Sequence, residues 1–274
     1  MAAADFPVTR ALSSALTELY QLEPPDWEGL PKLRFPQVPD GPLGEAISAD
    51  LGTRHWLTML GELELPWGAG VLEFGCGAST TRELVEQHGL GWHGLDIPES
   101  MEARQREDQE SVTYYDGRHI PFPDASYDVV LSVQVFEHVP DPALTFGEVA
   151  RIIRPGGYLL GSTSHIESFH SDSTFTYTPA VFARLVTDGG LRLLSISAGI
   201  DGMALLMRRM VRQFGAMTEP KQWPFFQRHS PLNQMIEACG ARQGVEPRRI
   251  NALKLEVVGH FHFLAQKPDA AGGS

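Results

Sequence analysis

At 274 residues, 42% of them hydrophobic and 20% charged, the chain can bury a sizeable core and has the composition of an ordinary globular protein. A formal net charge of −12 disfavours non-specific binding to nucleic acid or anionic membranes, so a small-molecule partner and no nucleic acid are expected. Two cysteines, Cys76 and Cys239, make no disulfide framework, and residues 1–22, which include Asp5, Arg10 and Glu18 without a long apolar run, predict neither signal peptide nor membrane span, hence a cytoplasmic protein.

In chain order, Leu12, Leu16 and Leu19 predict a short amphipathic helix within 7–21. Prolines at 24, 25, 31, 36, 39 and 42 predict an extended connector, because none can continue a helix. Ile47, Leu51, Trp56, Leu57 and Leu60 predict a helix over 45–63, and residues 1–63 form the N-terminal part of the chain.

Residues 64–268 are the expected core domain. The run Val71-Leu72-Glu73-Phe74-Gly75-Cys76-Gly77-Ala78-Ser79-Thr80 predicts a buried strand turning sharply into a helix, with Thr80-x-x-Glu83 as its capping box. Glycine at 75 and 77 lets a ligand approach the backbone without meeting a Cβ. His93-Gly94-Leu95-Asp96-Ile97 predicts a second strand ending at Asp96, about 20 residues past Gly75, the spacing of a carboxylate that grips ribose hydroxyls in a doubly wound sheet. Thr80 stands where dinucleotide sites prefer a third Gly or Ala, which counts against a nicotinamide or flavin cofactor.

The stretch Tyr114-Tyr115-Asp116-Gly117-Arg118-His119-Ile120-Pro121-Phe122-Pro123-Asp124-Ala125-Ser126-Tyr127-Asp128-Val129-Val130-Leu131-Ser132 is followed by Phe136-Glu137-His138-Val139-Pro140-Asp141-Pro142 and Arg151-Ile152-Ile153-Arg154-Pro155-Gly156-Gly157. Over roughly residues 70–200 these motifs resemble the class I S-adenosylmethionine (SAM) methyltransferases, in the branch that includes the ubiquinone and menaquinone enzymes. The resemblance implies an α/β fold, a doubly wound, Rossmann-like, mostly parallel sheet of seven strands with an antiparallel last strand, and SAM as cofactor. It further implies that Glu73, Gly75 and Gly77 form the methionine-end pocket, with Cys76 in the same cofactor-binding set, that Asp96 takes the ribose hydroxyls and Ile97 packs on adenine, and that Asp116 and Gly117 meet the adenine amino edge. Val133 joins this cofactor set. The loop after the fourth strand faces the methyl group in the family, which makes His138 the first candidate base.

Past this region, Asp141-Pro142 predicts a helix with the stripe Phe146, Val149, Ala150 and Ile153, ended by Gly156-Gly157, and Tyr158–Gly161 a fifth strand. Pro98 similarly predicts a helix start after Asp96. The following loop, with Ser164, His165, Glu167, His170 and Asp172, opens on the ligand edge, so His165 and His170 are further base candidates. Thr178-Pro179 predicts a helix stopped by Gly189-Gly190, and residues 191–196 the sixth strand. Residues 200–250, with an apolar stripe from Met203 to Phe214, a Trp223-Pro224-Phe225-Phe226 cluster and a Ser230-Pro231 helix start, are a candidate helical lid insertion. Residues 253–266 predict the last strand, whose His260 and His262 lie away from the binding edge and are not expected to hold a metal; 269–274 is a disordered tail.

The expected activity is methyl transfer from SAM to a small, partly hydrophobic organic acceptor, with O-methylation ahead of C- or N-methylation. The competing readings are a SAM-binding subunit without turnover, serving regulation or assembly, and a nicotinamide-dependent oxidoreductase.

Overall fold

A computed structural model describes residues 11, 14, 32–51, 55–98, 110–167, 173–213 and 230–269. Most of the helix expected within 7–21, the first connector prolines, the helix behind Pro98, His170, Asp172, the Trp223–Phe226 cluster and the tail from 270 lie outside these residues. Among the described residues no helix is long and apolar enough to cross a membrane.

The described elements are helices α1 (Pro42–Ala46), α2 (Trp56–Glu62), strand β1 (Gly70–Phe74), α3 (Arg82–Glu86), β2 (Gly91–Asp96), β3 (Val112–Tyr114), β4 (Tyr127–Val133), a 3-10 turn (Phe136–His138), α4 (Pro142–Ile152), β5 (Ile153–Ser164), α5 (Pro179–Asp188), β6 (Arg192–Ala198), α6 (Gly202–Gln213), α7 (Pro231–Arg242), α8 (Pro247–Glu256) and β7 (His260–Gln266). The strands form one seven-stranded sheet in the order β3-β2-β1-β4-β5-β7-β6. β1 through β5 pair in parallel. β7 runs antiparallel, with Gly199 and Lys267 amides donating to His260 and Gly157 carbonyls at 2.8 and 2.9 Å. The expected fold is therefore the observed one. Because the chain leaves β1 toward β2 and β3 and then returns to lay β4 on the other side of β1, the carboxyl ends of β1 and β4 flank a topological switch point, where ligands of doubly wound sheets bind.

Helix starts follow local chemistry. Asp141 accepts from the Leu144 amide at 3.2 Å and Thr178 from Val181 at 3.2 Å, each followed by a proline whose missing N–H costs nothing in the first turn. Phe146, Val149 and Ala150 are buried as their spacing predicts. Phe136, Phe146, Phe182 and Phe263 pack together, with Phe136 stacked on Phe146 at 4.4 Å between centroids.

Four expectations are corrected. The helix expected over 45–63 is two short helices, α1 and α2, with residues 47–51 not helical. The capping box does not form: α3 begins after Thr81, and the Thr81 hydroxyl donates to Glu73 instead of capping. Gly156-Gly157 does not end α4; β5 already starts at Ile153, and the pair lies where the β4–β5 register shifts, a bulge that absorbs residues 154–157. Residues 253–256 are helical, because Pro247 opens α8 and the buried Ile250, Asn251, Lys254 and Leu255 recur at three- and four-residue steps, so β7 begins only at His260.

The chain divides into two compact units. In one, formed by Met1–Val38, Ile47–Thr53 and Ser197–Phe261, α8 pins the N-terminal segment: Arg249 donates to the Phe35 and Pro36 carbonyls, and buried Lys254 to the Leu51 carbonyl and to Glu237, each at 2.7 Å. Asp201 caps α6 through the Ala204 amide and also accepts from the Ser230 hydroxyl. The other unit, formed by Pro39–Ala46, Arg54–Ile196 and His262–Ser274, contains β1 to β5 and every described candidate site residue.

In that unit, segment 173–177 laces the ends of β4 and β5. The Thr174 and Phe175 amides donate to the Glu137 carbonyl at 2.8 and 3.1 Å, the Tyr177 hydroxyl donates to the Phe136 carbonyl at 3.0 Å, and the Tyr177 amide to the Ser164 carbonyl at 3.3 Å. Beneath the strap the Glu137 side chain is 0% exposed. Thr163 Oγ1 donates to its Oε2 at 2.9 Å, and its Oε1 makes no hydrogen bond among the described residues. Burial pushes the carboxyl up to about 7, partly offset by the Thr163 hydroxyl and nearby backbone amides and reinforced by the charge of Glu167.

An acid raised in the folded state holds its proton longer than in the unfolded chain, so its penalty is absent below the unfolded value and grows as pH rises toward the folded one. Glu137 should therefore lower stability between about pH 4.5 and 7 by roughly 3 kcal/mol in total. Urea unfolding across pH 5 to 8 should show that decline in the wild type and its loss in Glu137→Gln; parallel pH profiles for the two proteins would contradict the reading. Gly161→Ala should cost about 3 kcal/mol in the same assay, because its Cβ would lie 1.7 Å from the Ser132 carbonyl oxygen where β4 and β5 pair.

Candidate functional site

The loop after β1 is shaped by two neighbouring strands. Gly75 and Gly77 have φ of 72° and 48°, which glycine adopts without a Cβ penalty. The Gly75 and Cys76 amides both donate to the Leu95 carbonyl, at 2.8 and 3.1 Å. A Cβ on Gly75 would lie 2.5 Å from both methyls of Val135, just past β4. The loop is thus held between the ends of β2 and β4, at the switch point. What the missing side chain at Gly75 admits is Val135, while the amides of Gly75 and Cys76 serve Leu95. Cys76 is buried in the apolar cluster with Val71, Trp92 and Leu131, so its side chain is a packing group.

Glu73 is buried, and its Oε2 accepts from Trp92 Nε1 at 2.8 Å and from the Thr81 hydroxyl. The expected methionine-end carboxylate thereby ties β1 to β2 and to the start of α3. Sequence reasoning missed Trp92 and Thr81 in this role. The apolar alternation of β2 shows Trp92 to be buried but not that its indole N–H needs an acceptor.

The residues expected on the adenosine side are brought together. Asp96 is buried at the end of β2, with Oδ1 accepting from the Ile97 amide at 2.9 Å, and its carbonyl accepts from the Tyr115 amide at 3.1 Å. Ile97 is 38% exposed, and a Cβ on Gly117 would lie 3.8 Å from its Cγ2, so the two residues form neighbouring walls. Asp116 Oδ1 accepts from the Arg118 and His119 amides, both at 2.8 Å, and those bonds, His119 first, hold its carboxyl below the usual range. Burial pushes the Tyr115 phenol well up, and the negative charges of Asp96 and then Asp116 add to the shift. Both acids therefore act on one phenol and belong to one neighbourhood.

On the β5 side, Val133 pairs with Ser162 and packs on the core cluster. Gln134 follows with φ of 57°, its amide donating to the Ser162 carbonyl at 2.9 Å and its Nε2 to Ser162 Oγ at 3.0 Å. His138 is half-buried in the 3-10 turn. His165 Nδ1 lies 2.8 Å from the Tyr177 carbonyl oxygen. A carbonyl can only accept, so Nδ1 carries the proton and the neutral ring keeps its lone pair on Nε2, the tautomer a general base needs. Sequence reasoning did not single out Gln134, which no glycine marks. Among the described residues no group of three His, Cys, Asp or Glu could hold a metal ion. A cavity of about 330 Å³ lined by Glu45, Thr187, Leu191, Arg192 and Leu193 sits at the amino end of β6 and shares no residue with this edge.

The edge fits SAM in its own chemistry: a place at Gly75 where a side chain is sterically excluded, a buried acid at the end of the adjoining strand, an exposed aliphatic side chain beside it, and a turn with a second acid. Residues 72–161 match the methyltransferase domain family. A probable S-adenosylmethionine-dependent methyltransferase of Mycolicibacterium smegmatis is 38% identical over 104 residues, covering 37% of this chain and 40% of that protein. The 2-methyl-6-phytyl-1,4-hydroquinone methyltransferase of Synechocystis is 34% identical over 121 residues, covering 42% and 38%. A ubiquinone biosynthesis O-methyltransferase of Acinetobacter baylyi is 30% identical over 140 residues, covering 43% and 59%. The matches thus span between 38% and 59% of the length of these relatives. Among solved structures, the [4+2]-cyclase SpnF superposes with a TM-score of 0.51 at 15% identity, covering 78% of this chain and 81% of that one, a likeness of fold alone. The glycine loop and the acid that ends β2 both lie within residues 72–161, the segment that matches the methyltransferase domain family.

Proposed function

We propose that the protein transfers a methyl group to a small, partly hydrophobic organic acceptor, at oxygen ahead of carbon or nitrogen. The observation that carries the reading is the junction of Gly75, Asp96, Ile97 and the Asp116–Gly117 turn at the switch point of the sheet. The relative named as a ubiquinone biosynthesis O-methyltransferase supports oxygen as the methylated atom, and the one named as a hydroquinone methyltransferase supports an acceptor of the hydroquinone kind.

SAM, when bound, supplies an electrophilic methyl group on a sulfonium sulfur. In this reading the Asp96 carboxylate accepts from the ribose hydroxyls, and its pairing with the Ile97 amide fixes its orientation. Ile97 and Gly117 give an apolar wall for a purine, and the Asp116 turn lies at its polar edge. Gly75 admits the amino-acid end. On the acceptor side His165 takes the proton of the hydroxyl at Nε2, while the Tyr177 carbonyl holds Nδ1–H and stabilises the imidazolium that forms. The strap that supplies this carbonyl therefore also aims the base. His138 contributes a second imidazole on the neighbouring loop.

Calorimetry with S-adenosylhomocysteine should give binding to the wild type that Asp96→Ala weakens about 30-fold, the loss of charge-assisted hydrogen bonds to two hydroxyls. No binding to the wild type, or full affinity in the variant, would reject the site. With methyl-labelled SAM and a panel of catechols and alkylhydroquinones, His165→Gln should lower turnover by about 100-fold or more while leaving S-adenosylhomocysteine affinity unchanged. Turnover at the wild-type rate would remove His165 as the base.

A further inference from the structure

The ligand edge lies at the carboxyl ends of the strands, and the most exposed large apolar side chain among the described residues lies at their amino ends. Trp67 is 90% exposed, well ahead of the next, Leu206 at 53%. It stands second in the turn Pro66-Trp67-Gly68-Ala69, closed by the Ala69 amide on the Pro66 carbonyl at 3.0 Å, with Gly68 at φ of 80° as a type II turn requires in third place. That position throws the indole outward on a frame that is fixed. The Gly68 amide donates to the Gly89 carbonyl at 2.7 Å, and the Gly91 amide to the Ala69 carbonyl at 2.9 Å. Gly89, at φ of 74°, is the seat of the ring: a Cβ there would lie 2.3 Å from Cε3 and Cζ3 of Trp67. One part of the indole therefore rests on backbone while the remainder faces solvent, in a place set before any partner arrives.

The surroundings of the ring are acidic. Between residues 55 and 103 the only lysine or arginine is Arg82, which is committed to Glu86 at 2.9 Å and to the Trp92 ring at 5.4 Å. Glu64 precedes Trp67 by three residues in the same connection, and Glu62 and Glu86 are the last residues of α2 and α3. The Glu86 carbonyl accepts from the Gly89 amide at 2.9 Å, within one turn of the indole's seat. Gly61, next to Glu62, lies against the His88 ring, since its Cβ would sit 3.4 Å from Nε2. Three exposed glutamates thus stand on segments that meet at the Trp67–Gly89 contact. Helix carboxyl ends favour cations, and neither helix has one in its last turn, so the acids there add to the negative field of the backbone.

We propose that the Trp67 turn is a docking point for an arginine-bearing segment of a partner protein, with a guanidinium lying on the free part of the indole and its charge met by Glu62, Glu64 and Glu86. Indole is the aromatic face that cations bind best, and a planar guanidinium stacks on it where an ammonium cannot. Tryptophan and arginine are also the commonest anchors of protein interfaces. The same acids, on a chain of net charge −12, disfavour nucleic acid and anionic lipid at this surface and steer a basic partner toward it. Because the turn precedes β1, at the end of the sheet opposite Gly75 and Asp96, an occupant there leaves the ligand edge open. The inference does not depend on the methyltransferase reading.

The test uses the full chain carrying fluorotryptophan, with the Trp67 fluorine resonance identified by its absence from Trp67→Phe, and acetylated, amidated octa-arginine as the probe. At low ionic strength the peptide should shift the Trp67 resonance more than those of the remaining indoles. Its affinity by calorimetry should fall about tenfold in Trp67→Ala and about threefold in the Glu62→Gln, Glu64→Gln double variant. The thermal midpoint of Trp67→Ala should match the wild type, because an exposed side chain carries little of the fold. A Trp67 resonance that the peptide leaves unmoved overturns the proposal, as does equal affinity in the wild type and Trp67→Ala. A concentration-dependent dimer of the wild type that Trp67→Ala abolishes overturns it too, by assigning the surface to a second copy of the chain. Should Trp67→Ala fail to fold, the fluorine shift in the wild type and the affinity of the double variant decide, and no change in either overturns it.

Discussion

The approach of Gly75 to the Leu95 carbonyl on one side and to the Val135 methyls on the other is the contact on which the site depends. It joins the ends of three parallel strands through one residue without a side chain, leaving 2.5 Å where any Cβ would sit. From that junction the rest follows by covalent continuity. Asp96 is the residue after Leu95, and Gln134 the residue before Val135. A doubly wound sheet brings these strand ends together at its switch point, but it is the missing Cβ that lets them close around a common space.

Around the junction, polar groups are used in two ways. Some are consumed in building: Glu73 is bonded to Trp92 and Thr81, Asp141 and Thr178 cap helices, and Arg151 is bonded to Glu148, Asp124 and two carbonyls. Others retain capacity on the ligand edge, among them the oxygens of Ser79 and Gln134 and the Nε2 lone pair of His165. The strap over residues 173–177 links this edge to the protein interior, because the same few residues that orient His165 also cover Glu137, whose proton the interior retains near neutral pH.

Much of this was legible in the residues. The strand-then-glycine run at 71–77, the acid at 96 and the proline-led helices at 142, 179 and 231 each have a strong local cause, and all appear where their chemistry predicts. What failed was local sequence overridden by context. Thr80-x-x-Glu83 has the form of a capping box, yet α3 starts one residue later than that box requires, with Thr81 at the N-cap position and its hydroxyl donating to the buried Glu73 carboxylate. Gly156-Gly157 looks like a helix stop, and only the pairing of β4 with β5 shows it as a bulge. Residues 253–256 have enough apolar character for a strand, and the helical reading needs the burial of Lys254, which is satisfied only by partners distant in sequence. Gln134 was invisible because its strained backbone comes from Val133 and Val135 being fixed on opposite neighbours.

The central claim is that the space bounded by Gly75, Asp96, Ile97 and Val135 is built for an S-adenosyl nucleoside. A crystal structure of the protein soaked with S-adenosylhomocysteine tests it most directly. The account predicts ribose hydroxyls on the Asp96 carboxylate, purine against Ile97 and Gly117, and the amino-acid end over Gly75. Density for the nucleoside elsewhere on the protein, with no ribose hydroxyl on the Asp96 carboxylate, would contradict it.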